Sequence, residues 1–166
     1  REYTSDFYRM DTYSRLFHLC FQRSLRESHP LLDDLFKQVV DKVEGLYTHW
    51  FLGQLGQNWS DACAENLERH GYILEVPQQT DFYAQKVQSS ENRVFVIVSD
   101  AFRYEVAASL AEDLQREMQC KVTLGSCEGL FPTVTKYGMA ALLPHKKLEI
   151  KPRPDGTLAV LADGDP

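Results

Sequence analysis

The sequence has no apolar run approaching the ~20 residues that a membrane-crossing helix needs. Nothing at its start reads as a signal peptide, and the two absences together point to a cytoplasmic location with no membrane contact. Cysteine is scarce: Cys20, Cys63, Cys120 and Cys127 are the four in 166 residues. They lack the paired short spacings of a zinc knuckle or ribbon. Cys120 and Cys127 flank a predicted strand and could be near neighbours, but free thiols in a reducing compartment are the economical expectation. Positive charge is short too. Eighteen Lys and Arg stand against 24 Asp and Glu, a net charge of -6, which argues against a broad nucleic-acid-binding surface. The basic stretch "HKKLEIKPRPDG" is a local candidate, beside the plainer reading of a solvated loop.

Several chemical signatures are also missing. There is no G-x-x-x-x-G-K-S/T loop and no G-x-G-x-x-G after a strand, which removes those routes to nucleotide binding. No G-x-S-x-G elbow marks a hydrolase serine. No internal repeat or low-complexity tract interrupts the chain.

What remains is an ordinary globular composition, 43% hydrophobic and 25% charged. The length suits one domain, or a small domain with an appendage. The chain opens on Arg1 without a methionine and stops at "LADGDP", just after a predicted strand. It is therefore expected to be part of something larger.

The first 71 residues contain no convincing strand. Tyr13, Leu16, Phe17 and Cys20 follow the helical period, and Pro30, after Ser28 and His29, stands where a second helix can begin. From Leu32 through Leu35, Phe36, Val39, Val40, Val43, Leu46, Tyr47, Trp50 and Phe51 runs a near-continuous apolar stripe. A third helix is expected over 60–69, stopped by Gly71. Such stripes predict helices that bury them against one another, so Phe36, Val39, Val43 and Tyr47 are expected to be covered. His18, His29, His49 and His70 show no metal-like pairing and read as surface or packing residues.

"VPQQTDFYAQKVQSSENR" reads as a joint with a short helix near 81–87. Beyond it the pattern changes. "RVFVIVS" is a short β-branched run suited to a strand covered on both faces, "AFRYEVAASLAEDLQREM" a helix, "CKVTLGS" a strand, "TKYGMAALL" a helix, and "KLEIK" and "TLAVLA" two further strands. Alternating strands and helices predict an α/β fold, a parallel-rich sheet flanked by helices and preceded by a helical segment. The expected division is a helical segment with its joint over 1–90, and an α/β domain over 91–166.

In such a sheet the ligand crevice lies beyond the carboxyl ends of the strands. Asp100 stands at one of those ends. It is a candidate for the crevice or, equally, an N-cap of the following helix. Arg103 and Glu105 read as an ion pair on that helix's first turn. In "FPTVTKYGM", Thr133 or Thr135 opens a helix, where unpaired N–H groups favour anions such as phosphate. A threonine hydroxyl is a poor nucleophile unless a base or metal lowers its pKa, and a metal held by Asp100 would do so. A plain threonine N-cap is the competing account.

"VFVIVSDAFRYEVAASLAEDL" followed by "FPTVTKYGMAALLPH" closely resembles the PglZ family, a branch of the alkaline phosphatase superfamily found in BREX phage-defence systems. The likeness is clearest over 91–166, and the helical half is similar to the segment preceding the PglZ domain in the BREX type. The resemblance implies a parallel-rich sheet between helices and a site for divalent metals, typically zinc, acting on phosphoester or phosphodiester bonds. It implies Asp100 as a metal ligand, and Thr135 as both nucleophile and metal ligand, with Thr133 one step too early. Substrate-binding residues are not indicated. The superfamily takes its remaining Asp and His ligands from far downstream, so this stretch holds part of a site and is expected to be inactive alone. His145, Asp163 and Asp165 match no ligand motif. Partners implied are other BREX defence proteins, with a phosphoester or nucleic-acid substrate. The alternative is a non-catalytic scaffold or interaction module whose site is vestigial, which an exposed apolar stripe on the 30–56 helix would favour.

Overall fold

Helical periodicity in the first half becomes helices in the structure, a computed structural model describing residues 2–26 and 30–164. Ser28, His29 and Asp165, named above, lie outside the described residues. The chain forms two compact units, Arg1–Gly71 with Phe102–Leu124 and Tyr72–Ala101 with Gly125–Pro166.

In the first unit, a wide π-type turn over Tyr3–Phe7 leads into α1 (Tyr8–Arg26). Helix α2 (Pro30–Gly45) opens at a proline, whose fixed φ suits the first helical position. A second π-type segment, Leu46–Leu52, joins it to α3 (Gly53–His70). The third helix thus begins well before the expected 60. It ends as expected, because Gly71 adopts φ 75° and its N–H returns to Leu67 O at 3.0 Å. Helix α4 (Tyr104–Glu117) completes the unit, burying Glu105 and Ala108 and packing on α1.

The expectation that the long stripe is buried is not met. Phe36 is 36% and Val39 42% exposed, and Leu32, Leu35, Leu46 and Trp50 are exposed as well. Of the stripe only Val40, Val43, Tyr47 and Phe51 reach half-burial. The physical reason is width: a stripe this broad needs neighbours on two sides, and among the described residues α2 packs mainly on α1 and the following π-type segment.

The second unit is built around a hairpin. Strand β1 (Leu148–Pro152) pairs antiparallel with β2 (Leu158–Ala162), in a register that sets Ile150 opposite Val160. Between them 153–157 makes a tight turn, with Gly156 at φ 79° and Arg153 N–H donating to Thr157 O at 2.7 Å. Helix α5 (Thr135–Leu142) packs on β2. It buries Tyr137 and Ala141, and Ala159 is buried on β2. Lys136 Nζ donates to Leu158 O at 2.5 Å. The expected short helix near 81–87 appears as a 3₁₀ turn, Gln79–Asp81, and a π-type turn, Tyr83–Gln88.

The parallel-rich sheet is corrected by the structure. Among the described residues the sheet is two-stranded and antiparallel. A five-residue link is too short for the crossover that a parallel pair requires, so the last two strands fold back on each other. The runs at 93–99 and 121–124 carry no regular secondary structure and join no ladder. Phe95 is 82% and Ile97 92% exposed, so among the described residues little covers their apolar side chains. No helix among the described residues is long and apolar enough to cross a membrane.

Candidate functional site

The extended run before Asp100 ends in a tight reversal. Ala101 sits in the left-handed region at φ 54°, and its N–H donates to Asp100 Oδ1 at 2.9 Å. On the facing element Val134 is extended, φ -105° and ψ 138°, and the chain turns helical at Thr135. Both residues belong to the second unit. Thr135 Oγ1 lies 3.3 Å from Oδ1 and 3.3 Å from Oδ2 of Asp100, across 35 positions of sequence. Both side chains are exposed.

The contact is a long hydrogen bond shared between the two carboxylate oxygens, against about 2.7 Å for a strong hydroxyl–carboxylate bond. The two groups, a carboxylate and a hydroxyl, are oxygen donors of the kind that a hard or borderline divalent ion takes. They amount to two ligands. Among the described residues no group of three or more His, Cys, Asp or Glu converges to hold a metal.

The capping alternatives do not describe this geometry. Helix α4 begins at Tyr104 with Arg103 as its cap residue, and Asp100 does not bond its N-terminus. Helix α5 has Val134 at its cap position, with no side-chain cap bond. Thr133 lies beside Gly129, its methyl 3.7 Å from where a side chain there would begin.

Arg103 and Glu105 do not form the expected pair. Glu105, 1% exposed, receives Arg15 Nε from α1 at 2.9 and 3.0 Å on its two oxygens. Arg103 instead lines a cavity of about 390 Å³ in the first unit, with Asp11, Arg15, His18, Glu44 and Tyr47. There Asp11 accepts hydrogen bonds from Tyr47 Oη at 2.7 Å and from Tyr3. Burial, and then these bonds to Asp11, raise both phenols, Tyr47 to about 12. Tyr104 braces the same region, donating to Thr4 O at 3.2 Å with its ring edge-on to Tyr8. The cleft carries both charge signs, and its Asp11 carboxylate is already engaged.

The remaining candidates stay outside the site. His145 Nδ1 lies 2.7 Å from Leu143 O. Asp163 accepts from the Lys146 and Lys147 N–H groups at 3.0 and 2.8 Å, closing the open end of the hairpin. His18 packs edge-on against Phe17. Burial raises the Cys127 thiol. Sequence reasoning missed Arg15 as the partner of Glu105. Its one signal was a charge beside the apolar face of α1, between Ser14 and Leu16.

Comparison with known proteins bears on the family of the chain. Residues 82–166 match the family model described as the BREX system PglZ alkaline phosphatase-like domain. The chain is 36% identical over 151 residues to an alkaline phosphatase-like protein PglZ of Bacillus cereus (strain H3081.97), covering 89% of this chain and 17% of that relative. It is 40% identical over 136 residues to an alkaline phosphatase-like protein BrxZ of Escherichia coli O9:H4 (strain HS), covering 78% of this chain and 16% of the relative. The chain thus spans about a sixth of the length of the curated relatives it matches. No solved structure matches it. With more than half of its residues inside the family model, the chain belongs to the PglZ family of BREX-system alkaline phosphatase-like domains.

Proposed function

We propose that this chain supplies two metal ligands, Asp100 and Thr135, the second also the nucleophile, of a metal-dependent phosphoester or phosphodiester hydrolase acting in BREX defence. The observation that carries the reading is Thr135 Oγ1 at 3.3 Å from both oxygens of Asp100, at the start of a helix. In this reading residues 91–166 are the first part of an alkaline phosphatase-like domain, and 1–90 form the helical segment and joint before it.

Asp100 and Thr135 would hold a divalent ion, zinc by family type, together with ligands from outside this chain. When bound, such an ion lowers the pKa of a coordinated hydroxyl and polarises a phosphoryl oxygen. Asp100 orients the hydroxyl of Thr135, whose proton passes to solvent water. As the bond from Oγ1 to phosphorus forms, the ester P–O bond breaks, and the leaving oxygen takes a proton from water. Water then cleaves the threonyl phosphate and restores the hydroxyl. Two protein ligands are fewer than the three a zinc site normally has, so the chain alone is inactive in this account. Other BREX proteins are the proposed partners, and the proposed location is the cytoplasm.

The test uses the full-length protein, with metal content and turnover of bis-p-nitrophenyl phosphate as readouts. Activity that depends on added zinc and falls at least ~1,000-fold in Thr135→Ala supports the reading. Thr135→Ala turnover equal to the parent overturns it.

A second reading, an interaction module with a vestigial site, is favoured by one observation: Leu35, Leu46 and Trp50 leave an apolar stripe exposed along α2 and the segment after it. Full turnover in Thr135→Ala, with loss of co-purifying defence proteins in Leu35→Asp, would decide for that reading.

A further inference from the structure

The stretch 76–81 belongs to what reads from sequence as a joint, yet, with Ile73 just before it, the stretch grips the loop that carries the threonines. All the contacts lie within the second unit. Gln79 N–H donates to Glu128 O at 2.9 Å, and Glu128 N–H donates to Pro77 O at 2.8 Å. The Glu128 carboxylate turns back onto the same stretch, accepting from Ile73 N–H and from Gln78 Nε2, each at 2.8 Å. These bonds fix one end of the loop.

The Gln79 side chain fixes the rest. Its Oε1 accepts from Leu130 N–H at 2.9 Å, and its Nε2 donates to Gly138 O at 3.2 Å. Leu130 and Gly138 bracket Thr135, so one amide ties the approach to the helix to the helix itself. Only a side chain that accepts at one atom and donates at the other can make this bridge, and at this length glutamine does so. Glycine at 138 leaves room for it: a Cβ there would stand 3.4 Å from Gln79 Nε2, so anything larger than alanine would press on the amide.

We infer that Gln79 is a positioning residue, whose amide sets the backbone that presents Thr135 Oγ1 to Asp100. This rests on the reading of Thr135 as the nucleophile. A hydroxyl displaced by about 1 Å loses roughly 100-fold in rate, so a residue that never touches substrate can still govern turnover.

The test compares full-length parent, Gln79→Met, Gln79→Glu and Thr135→Ala. Amide hydrogen exchange over 128–138 and the kcat and KM for bis-p-nitrophenyl phosphate are measured. In Gln79→Met, exchange at Leu130 is expected to speed up about 10-fold or more, while kcat falls about 10- to 100-fold and KM stays within about twofold. Gln79→Glu keeps the acceptor for Leu130 and sets a carboxylate against Gly138 O. It should therefore keep Leu130 protected while kcat still falls, and it carries the test if the methionine variant does not fold. Unchanged exchange in Gln79→Met, or faster exchange with kcat intact, overturns the role of Gln79. Thr135→Ala with parental turnover instead overturns the nucleophile reading and takes the positioning role with it. The exchange data need no turnover and decide separately whether the bridge exists.

Discussion

Asp100 and Glu105 stand five positions apart in one stretch of chain, and their carboxylates meet opposite environments. Asp100 is exposed and faces a hydroxyl at 3.3 Å, with open coordination around its oxygens. Glu105 is 1% exposed, and both its oxygens are taken by Arg15. A buried carboxylate must be paired or it is not tolerated, so Glu105 is committed to the fold. The exposure of Asp100 is what its proposed role as an ion ligand requires. The stretch "SDAFRYE" reads as one motif, but it divides into a chemical end and a structural end. That division makes graded claims about stability.

The largest effect belongs to the structural end. Glu105→Ala strands the Arg15 guanidinium and is expected to lower unfolding free energy by about 3 kcal/mol, measured by urea denaturation. The figure sits at the low end for a broken buried pair because the Arg15 side chain is 35% exposed and can recover some hydration. A loss under about 1 kcal/mol would erase the distinction between the two carboxylates.

A smaller effect is expected at the tyrosine bonds to Asp11. Tyr47→Phe deletes a 2.7 Å hydrogen bond to a charged acceptor and should cost about 1.5 kcal/mol. The pH dependence has a definite sign. Burial and the Asp11 contact raise the Tyr47 pKa to about 12, above its unfolded value near 10. The contribution is therefore whole below about pH 10 and is lost as pH rises through about 12. Parent and Tyr47→Phe should converge in stability across that window. A constant gap between them would show that the phenol is not engaged in this way.

The same contrast explains what was legible in the sequence. Period-3.6 stripes located the helices, because helix formation is local and each turn reports its own face. Position in the sequence made Asp100 and either Thr133 or Thr135 candidates beside plain capping roles, and the resemblance to the PglZ family chose Asp100 and Thr135. The sheet was not legible. Phe95 and Ile97 have the composition of a covered strand, but pairing is a property of two segments, and none of the described residues pairs with theirs. The hairpin β1–β2 forms because its partner lies just across a short turn. Arg15–Glu105 and the Gln79 bridge were invisible for the same reason, being single long-range pairs with no period to betray them.

A finer probe lies between the two ends. Ala101 holds φ 54°, which costs a residue with a Cβ about 1 kcal/mol. Glycine removes that strain but gives the unfolded chain more freedom, worth about 0.4–1 kcal/mol. Ala101→Gly is therefore expected to stabilise by a few tenths of a kcal/mol, read as a small rise in denaturation midpoint. A clear loss of stability would mean that the reversal after Asp100 does not depend on a left-handed residue.

The smallest expected effect is the most informative, because it concerns the chemical end. Asp100→Asn and Thr135→Ala should each change unfolding free energy by no more than about 0.5 kcal/mol. Neither side chain is buried, and neither caps a helix, since α4 has Arg103 and α5 has Val134 at the cap position. The bond from Ala101 N–H to Asp100 survives in asparagine, whose amide oxygen can take the place of Oδ1. What each variant loses is the shared contact at 3.3 Å, too long to contribute as a strong hydrogen bond. Stability held within that margin, beside the loss of about 3 kcal/mol in Glu105→Ala, would show that the fold does not need the Asp100–Thr135 pair. If Asp100→Asn instead unfolds the protein as readily as Glu105→Ala, Asp100 is structural, and its closeness to Thr135 is packing rather than chemistry.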